Sequence, residues 1–126
     1  MGPGAASGGA FSWNSELPSG RNPFWIRDEA LSGLGLHVGD AVSVDTRAEP
    51  RDGDLVVVEV ELDDDSLRTA RRYVLQGEVV RLEPVAEGVQ ALVVAAENVI
   101  VLGVIVARLR FADEAPPAEE PLPPLP

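Results

Sequence analysis

Hydrophobic and polar residues alternate in several short runs along the middle of the chain. Val42 and Val44 flank Ser43 with a period of two, which predicts a strand with one buried face and Ser43 turned outward. The run LVVVEVEL, Leu55–Leu62, alternates most clearly at its end, with Val58, Val60 and Leu62 on one face and Glu59 and Glu61 on the other. Further strands are predicted over 69–74, 78–82, 89–94 and 99–111. Gly39-Asp40, Asp52-Gly53, Gln76-Gly77 and Glu87-Gly88 separate these runs as turns. One short helix is predicted over Asp28–Leu34, with Asp28 as its N-terminal cap. Short strands spaced by turn signals predict a mainly β fold, small, partly closed and mostly antiparallel, with one short helical turn.

The flanks read differently. Residues 1–22 are rich in glycine, alanine and serine, bury too little apolar surface to offset chain entropy, and predict a flexible arm. Phe11 and Trp13 stand out within it, suited either to dock on the body or to bind a partner. Residues 112–126, ADEAPPAEEPLPPLP, form an acidic proline-rich tail. Prolines at this density lack ladder donors and favour an extended polyproline II arm, either solvated or offered to an aromatic-lined groove. The β-domain is therefore expected over 23–111.

Composition narrows the chemistry. At 126 residues the chain is one domain in size. It lacks cysteine, so disulfides, thiolate metal sites and cysteine nucleophiles are excluded. His37 is the single histidine, which leaves no histidine cluster for zinc, and no cofactor is expected. Asp63-Asp64-Asp65 reads either as an attractor of a divalent ion or as a solvated hairpin tip. All ten basic residues are arginine, and the net charge is −11. Such a chain repels a phosphate backbone, so direct nucleic-acid binding is not expected. The longest apolar run is short and interrupted by Gly103, and no basic segment precedes a long apolar stretch. No membrane association and a cytoplasmic location are expected.

The order of the motifs is more specific than any one of them. FWIRDEALSGLGLHVGDAVSVD, from Phe24, carries a strand through a turn into Gly39-Asp40 and an apolar strand. RDGDLVVVEV, TARRYVLQGEVVRLEPV and VIVLGVIVARLRF follow. Over Phe24–Arg110 this resembles the self-cleaving C-terminal peptidase domain of LexA, UmuD and the lambda-type phage repressors. That family runs through Gly-x-Ser-Met, Gly-Asp, an Asn/Asp-Gly turn, Val-Lys-Arg and a final Gly-Val-Val strand.

The resemblance implies a Ser–Lys dyad, and here the sequence departs from it. Counting back from Gly39-Asp40, the family's nucleophilic serine falls on Ala30, and its preceding glycine on Asp28. Counting back from Gln76-Gly77, the general-base lysine falls on Arg71. Alanine has no nucleophile. A guanidinium keeps its proton and has no lone pair to offer. With no lysine anywhere, no shift of register restores the base. The Ala-Gly or Cys-Gly bond that the family cleaves is also absent upstream of Phe24. A buried arginine needs an anionic partner, so an ion pair of Arg71 with Asp28 or Glu29 is expected to lock the groove.

The chain is thus expected to be a catalytically inactive domain of this type, working as a dimerisation or protein-interaction module in transcription or stress-response (SOS) regulation. The resemblance places a dimer edge on the last strand, at Val104, Val106, Arg108 and Arg110. The enzymatic alternative is a peptidase using another serine, such as Ser32 with His37 as base. A β-domain unrelated to the family is a third reading.

Overall fold

The computed structural model describes residues 17–112 and 115–125. Phe11 and Trp13 lie outside them. The strands are β1 (Asn22–Trp25), β2 (Ala41–Asp45), β3 (Leu55–Glu61), β4 (Ser66–Gln76), β5 (Val79–Glu83), β6 (Leu92–Ala95), β7 (Val99–Ala112) and β8 (Ala115–Glu120). They form one antiparallel sheet in the order β1-β2-β7-β3-β4-β5-β6, with β8 added on β7. The path is open: no ladder joins β1 to β6 among the described residues, so the partial closure expected from sequence is not made by strand pairing. The short helix reduces to a 3₁₀ turn at Ser32–Leu34. No helix among the described residues is long and apolar enough to cross a membrane.

β7 organises the sheet. Its first half pairs with β3, its second half with β2 on the opposite edge, and its end with β8. One 14-residue strand serves three partners because its register shifts once in each ladder. Leu102, Val106 and Phe111 are the residues skipped at these shifts, and such bulges bend a strand and increase its twist. Gly103 lies where β2 crosses closely. A Cβ there would collide with Val44 Cγ1 and stand 2.9 Å from the Asp45 carbonyl oxygen.

The core lies on both faces of β3. Leu55 and Val57 join Phe24, Leu31, Leu36 and Val42 in one cluster, while Val56, Val58 and Val60 join Val80 and Leu82 in a second. This explains why β3 opens as an unbroken apolar run. Val58 and Val60 share a face as predicted, but Leu62 falls beyond the strand and is 49% exposed. The Gly53 and Gly77 turns bear out their prediction, with φ of 93° and 63°.

Two corrections concern the flanks and the outer face. Ser43 is fully buried rather than outward-facing. The reason is tertiary: chain outside the predicted body covers this side of β2. Leu17 packs with Ala41 and Leu109, and Glu119 of β8 comes back toward Ser43. The tail is likewise not a solvated arm over 115–125, because β8 pairs with β7, and Leu122 and Leu125 pack against the first core cluster. Consequently the end of β7 offers no unpaired edge at Arg108 and Arg110. β8 holds it, while Val104 pairs between β2 and β3 and Val106 is a bulge residue.

Candidate functional site

A tight turn sets Ala30 in place. Asp28 Oδ1 accepts a hydrogen bond from the Ala30 amide at 3.0 Å, the local geometry that a short acidic side chain makes two residues on. Val85 then binds the turn as a short strand would: its amide donates to the Ala30 carbonyl at 2.7 Å, and its carbonyl accepts from the Gly33 amide at 2.6 Å. A Cβ on Gly33 would collide with that Val85 oxygen, so glycine is what permits the approach. Ala30 ends up only 1% exposed.

Arg71 comes from β4. It is 6% exposed, and its guanidinium donates from Nη1 to the Gln90 carbonyl at 2.8 Å and from Nε to Thr69 Oγ1 at 3.3 Å. The Thr69 hydroxyl in turn donates to Asp28 Oδ2 at 2.9 Å. The four residues make one relay: Ala30 amide to Asp28, Asp28 to Thr69, Thr69 to Arg71. Burial pulls the Arg71 guanidinium below its ordinary value, and the Asp28 charge pulls it back up. It stays a cation, since a guanidinium does not deprotonate in proteins.

The structure thus brings together Asp28, Ala30 and Arg71, but not as the direct ion pair expected. No carboxylate among the described residues lies within the 4.0 Å salt-bridge distance of Arg71, because Thr69 stands between. Glu29 is not part of the site. Its carboxylate turns outward to His37 Nδ1 at 2.9 Å and the Val38 amide at 3.1 Å. The hydrogen bond with His37, then that from Val38, hold Glu29 below the usual carboxylate range. His37 is therefore engaged with Glu29, and Ser32, in the 3₁₀ turn, has no hydrogen bond to it.

Thr69 and Gln90 are the members that sequence reasoning missed. A threonine in an alternating strand carries no signal for a hydroxyl relay, and a backbone carbonyl carries none at all. Beside Asp28 a cleft of about 510 Å³ opens, lined by Arg27, Glu59, Ser66, Leu67 and Arg68. Arg68 and Glu59, neighbours in the β3–β4 ladder, pair on its lining at 2.8 Å. β5 pairs with β4 only from Arg72 onward, so along this cleft β4 is laddered to β3 alone. Among the described residues no group of three or more His, Asp or Glu side chains is placed to hold a metal ion. The Asp63–Asp65 run is exposed, and Asp65 Oδ1 accepts from the Ser66 amide at 2.7 Å.

The family model described as Peptidase S24-like matches residues 7–106. The chain belongs to that family. No curated protein matches it. The antiparallel β architecture of this S24-like domain agrees with the resemblance drawn from its motifs, and the matched span contains both arms of the relay.

Proposed function

We propose that this S24-like domain is catalytically silent and works as a protein-interaction module, in transcription or stress-response regulation as its resemblance to LexA and UmuD implies. The observation that carries the reading is the relay from Ala30 through Asp28 and Thr69 to Arg71. Where the family places an attacking oxygen and a neutral amine, the matching positions here carry a buried methyl group and a guanidinium that donates from Nε to Thr69 and from Nη1 to the Gln90 carbonyl. Neither can accept or supply the electron pair that opens an amide bond. The groove beside Asp28, with β4 laddered on one side only, suits an extended segment that adds backbone hydrogen bonds to the strand.

The test is incubation with a serine-reactive fluorophosphonate, followed by peptide mass spectrometry and an intact-mass time course at neutral and alkaline pH. No serine is expected to be labelled, and the chain is expected to keep its full mass. Labelling at Ser32 or Ser43, or fragments from a specific self-cleavage, would overturn the silent reading.

A further inference from the structure

The C-terminal stretch is the least expected part of the fold. β8 pairs with β7 at Arg108–Glu120, Leu109–Glu119, Arg110–Ala118 and Ala112–Ala115. Pro116 and Pro117 fall in the gap of this register, opposite Phe111, where their missing amides cost no ladder bond. Few backbone bonds are left, and side chains supply the rest. Glu119 takes hydrogen bonds from Arg21 at 2.8 Å and from Ser19. Glu120 pairs with Arg110 at 2.5 Å and feels the charge of Arg108. Beyond the strand, Leu122 and Leu125 pack half-buried against the core.

Charge suits this groove to an acidic segment. In a molecule of net charge −11, three of the ten arginines converge on one short strand edge. A seat that combines a β edge, three guanidinium groups and an apolar patch for two leucines recognises an acidic extended segment ending in prolines and leucines.

We propose that Arg21, Arg108, Arg110 and the end of β7 form a peptide-binding groove, filled in cis by the chain's own tail and open to the same tail from a second copy. The proposal deepens the reading of the chain as an interaction module, and its outcome is independent of the dyad. The Arg110–Glu120 pair is exposed, with the Arg110 side chain at 70%, so salt screens it and the tail can leave. While the cis tail is docked, its high effective concentration keeps a trans tail out.

The experiment uses full-length protein and a fluorescent peptide of Ala115–Pro126. The variant Glu119→Arg with Glu120→Arg repels its own tail from the groove and is expected to bind the peptide at least about tenfold more tightly than the unmodified chain. Adding Arg110→Glu to that variant is expected to abolish the gain. Equal binding by both chains, or none by a variant whose circular dichroism is unchanged, would overturn the proposal. If the variant does not fold, hydrogen exchange on the unmodified chain decides. Amides of Ala118–Glu120 should exchange faster as salt rises to molar levels while those of β3 do not; a uniform response sinks the idea. Fluorophosphonate labelling would overturn the silent dyad without touching this result, and failed peptide binding would leave the dyad reading intact.

Discussion

Arg71 is buried without a carboxylate against it, and it is tolerable there because a threonine hydroxyl and a peptide carbonyl share its donors. Thr69 is the joint. Its hydroxyl donates to Asp28 and accepts from Arg71, so both charged groups depend on one oxygen. Thr69→Val keeps the shape and removes that oxygen, leaving buried polar groups unpaired. The expected cost is about 1–3 kcal/mol in urea unfolding. A double-mutant cycle between Asp28→Ala and Arg71→Met is expected to give a coupling of at least about 0.5 kcal/mol, which shrinks toward its charge–charge part when the cycle is repeated on Thr69→Val. A coupling unchanged by Thr69→Val would mean that the two charges interact directly through space. At this scale the sequence revealed the chemical types: no lysine anywhere in the chain, and an arginine in need of acceptors. It did not reveal Thr69 or Gln90, because a strand pattern records which side of a sheet a residue faces and not which loop arrives opposite.

Two close approaches, both at glycine, hold the elements in register. Gly103→Ala would drive a methyl group into Val44 and the Asp45 carbonyl, where β2 and β3 meet β7. Overpacking of this kind costs about 1–3 kcal/mol, readable as a lower urea midpoint with an unchanged m-value. Gly33→Ala instead pushes on the Val85 carbonyl, so it should displace the turn that carries Ala30 and shift the amide resonances of Ala30 and Val85 before it lowers global stability. The strands themselves were legible, from the alternation at β2 and β3 to the long apolar run of β7. The helix predicted over Asp28–Leu34 forms only as a single turn. Asp28 does cap a turn, but its second oxygen and the Val85 pairing bind the segment into the sheet, and only Ser32–Leu34 coils.

For the molecule as a whole, acid is the expected means of releasing the tail. Burial raises Glu119, but hydrogen bonds from Ser19 and Arg21 and the Arg21 charge outweigh it and hold the carboxyl below its ordinary 4.5. Glu120 is held below 4.5 by its hydrogen bond from Arg110 above all, with the charges of Arg110 and Arg108 adding to it and burial opposing. Groups depressed in the folded state stabilise it fully above their unfolded value, and lose that contribution as pH falls through the folded one. The docked tail is therefore expected to be stable at neutral pH and to detach as pH drops below the ordinary carboxylate range. Amide shifts of Ala118 and Glu119 should then move toward random-coil values before those of β3 change. Movement on raising pH from neutral would contradict the sign.

By itself the sequence determined the β class, the main strands, the family resemblance and the absence of a lysine base, because these rest on local periodicity, motif order and composition. Tertiary structure alone decided how the termini are used. A proline-rich acidic stretch has no period that marks it as a strand, and its docking depends on arginines far away in sequence. Those arginines face it only after β1 and β7 have folded. The same is true of Ser43, whose burial no alternation could announce, since the cover over it is supplied by residues on either side of the domain the pattern had outlined.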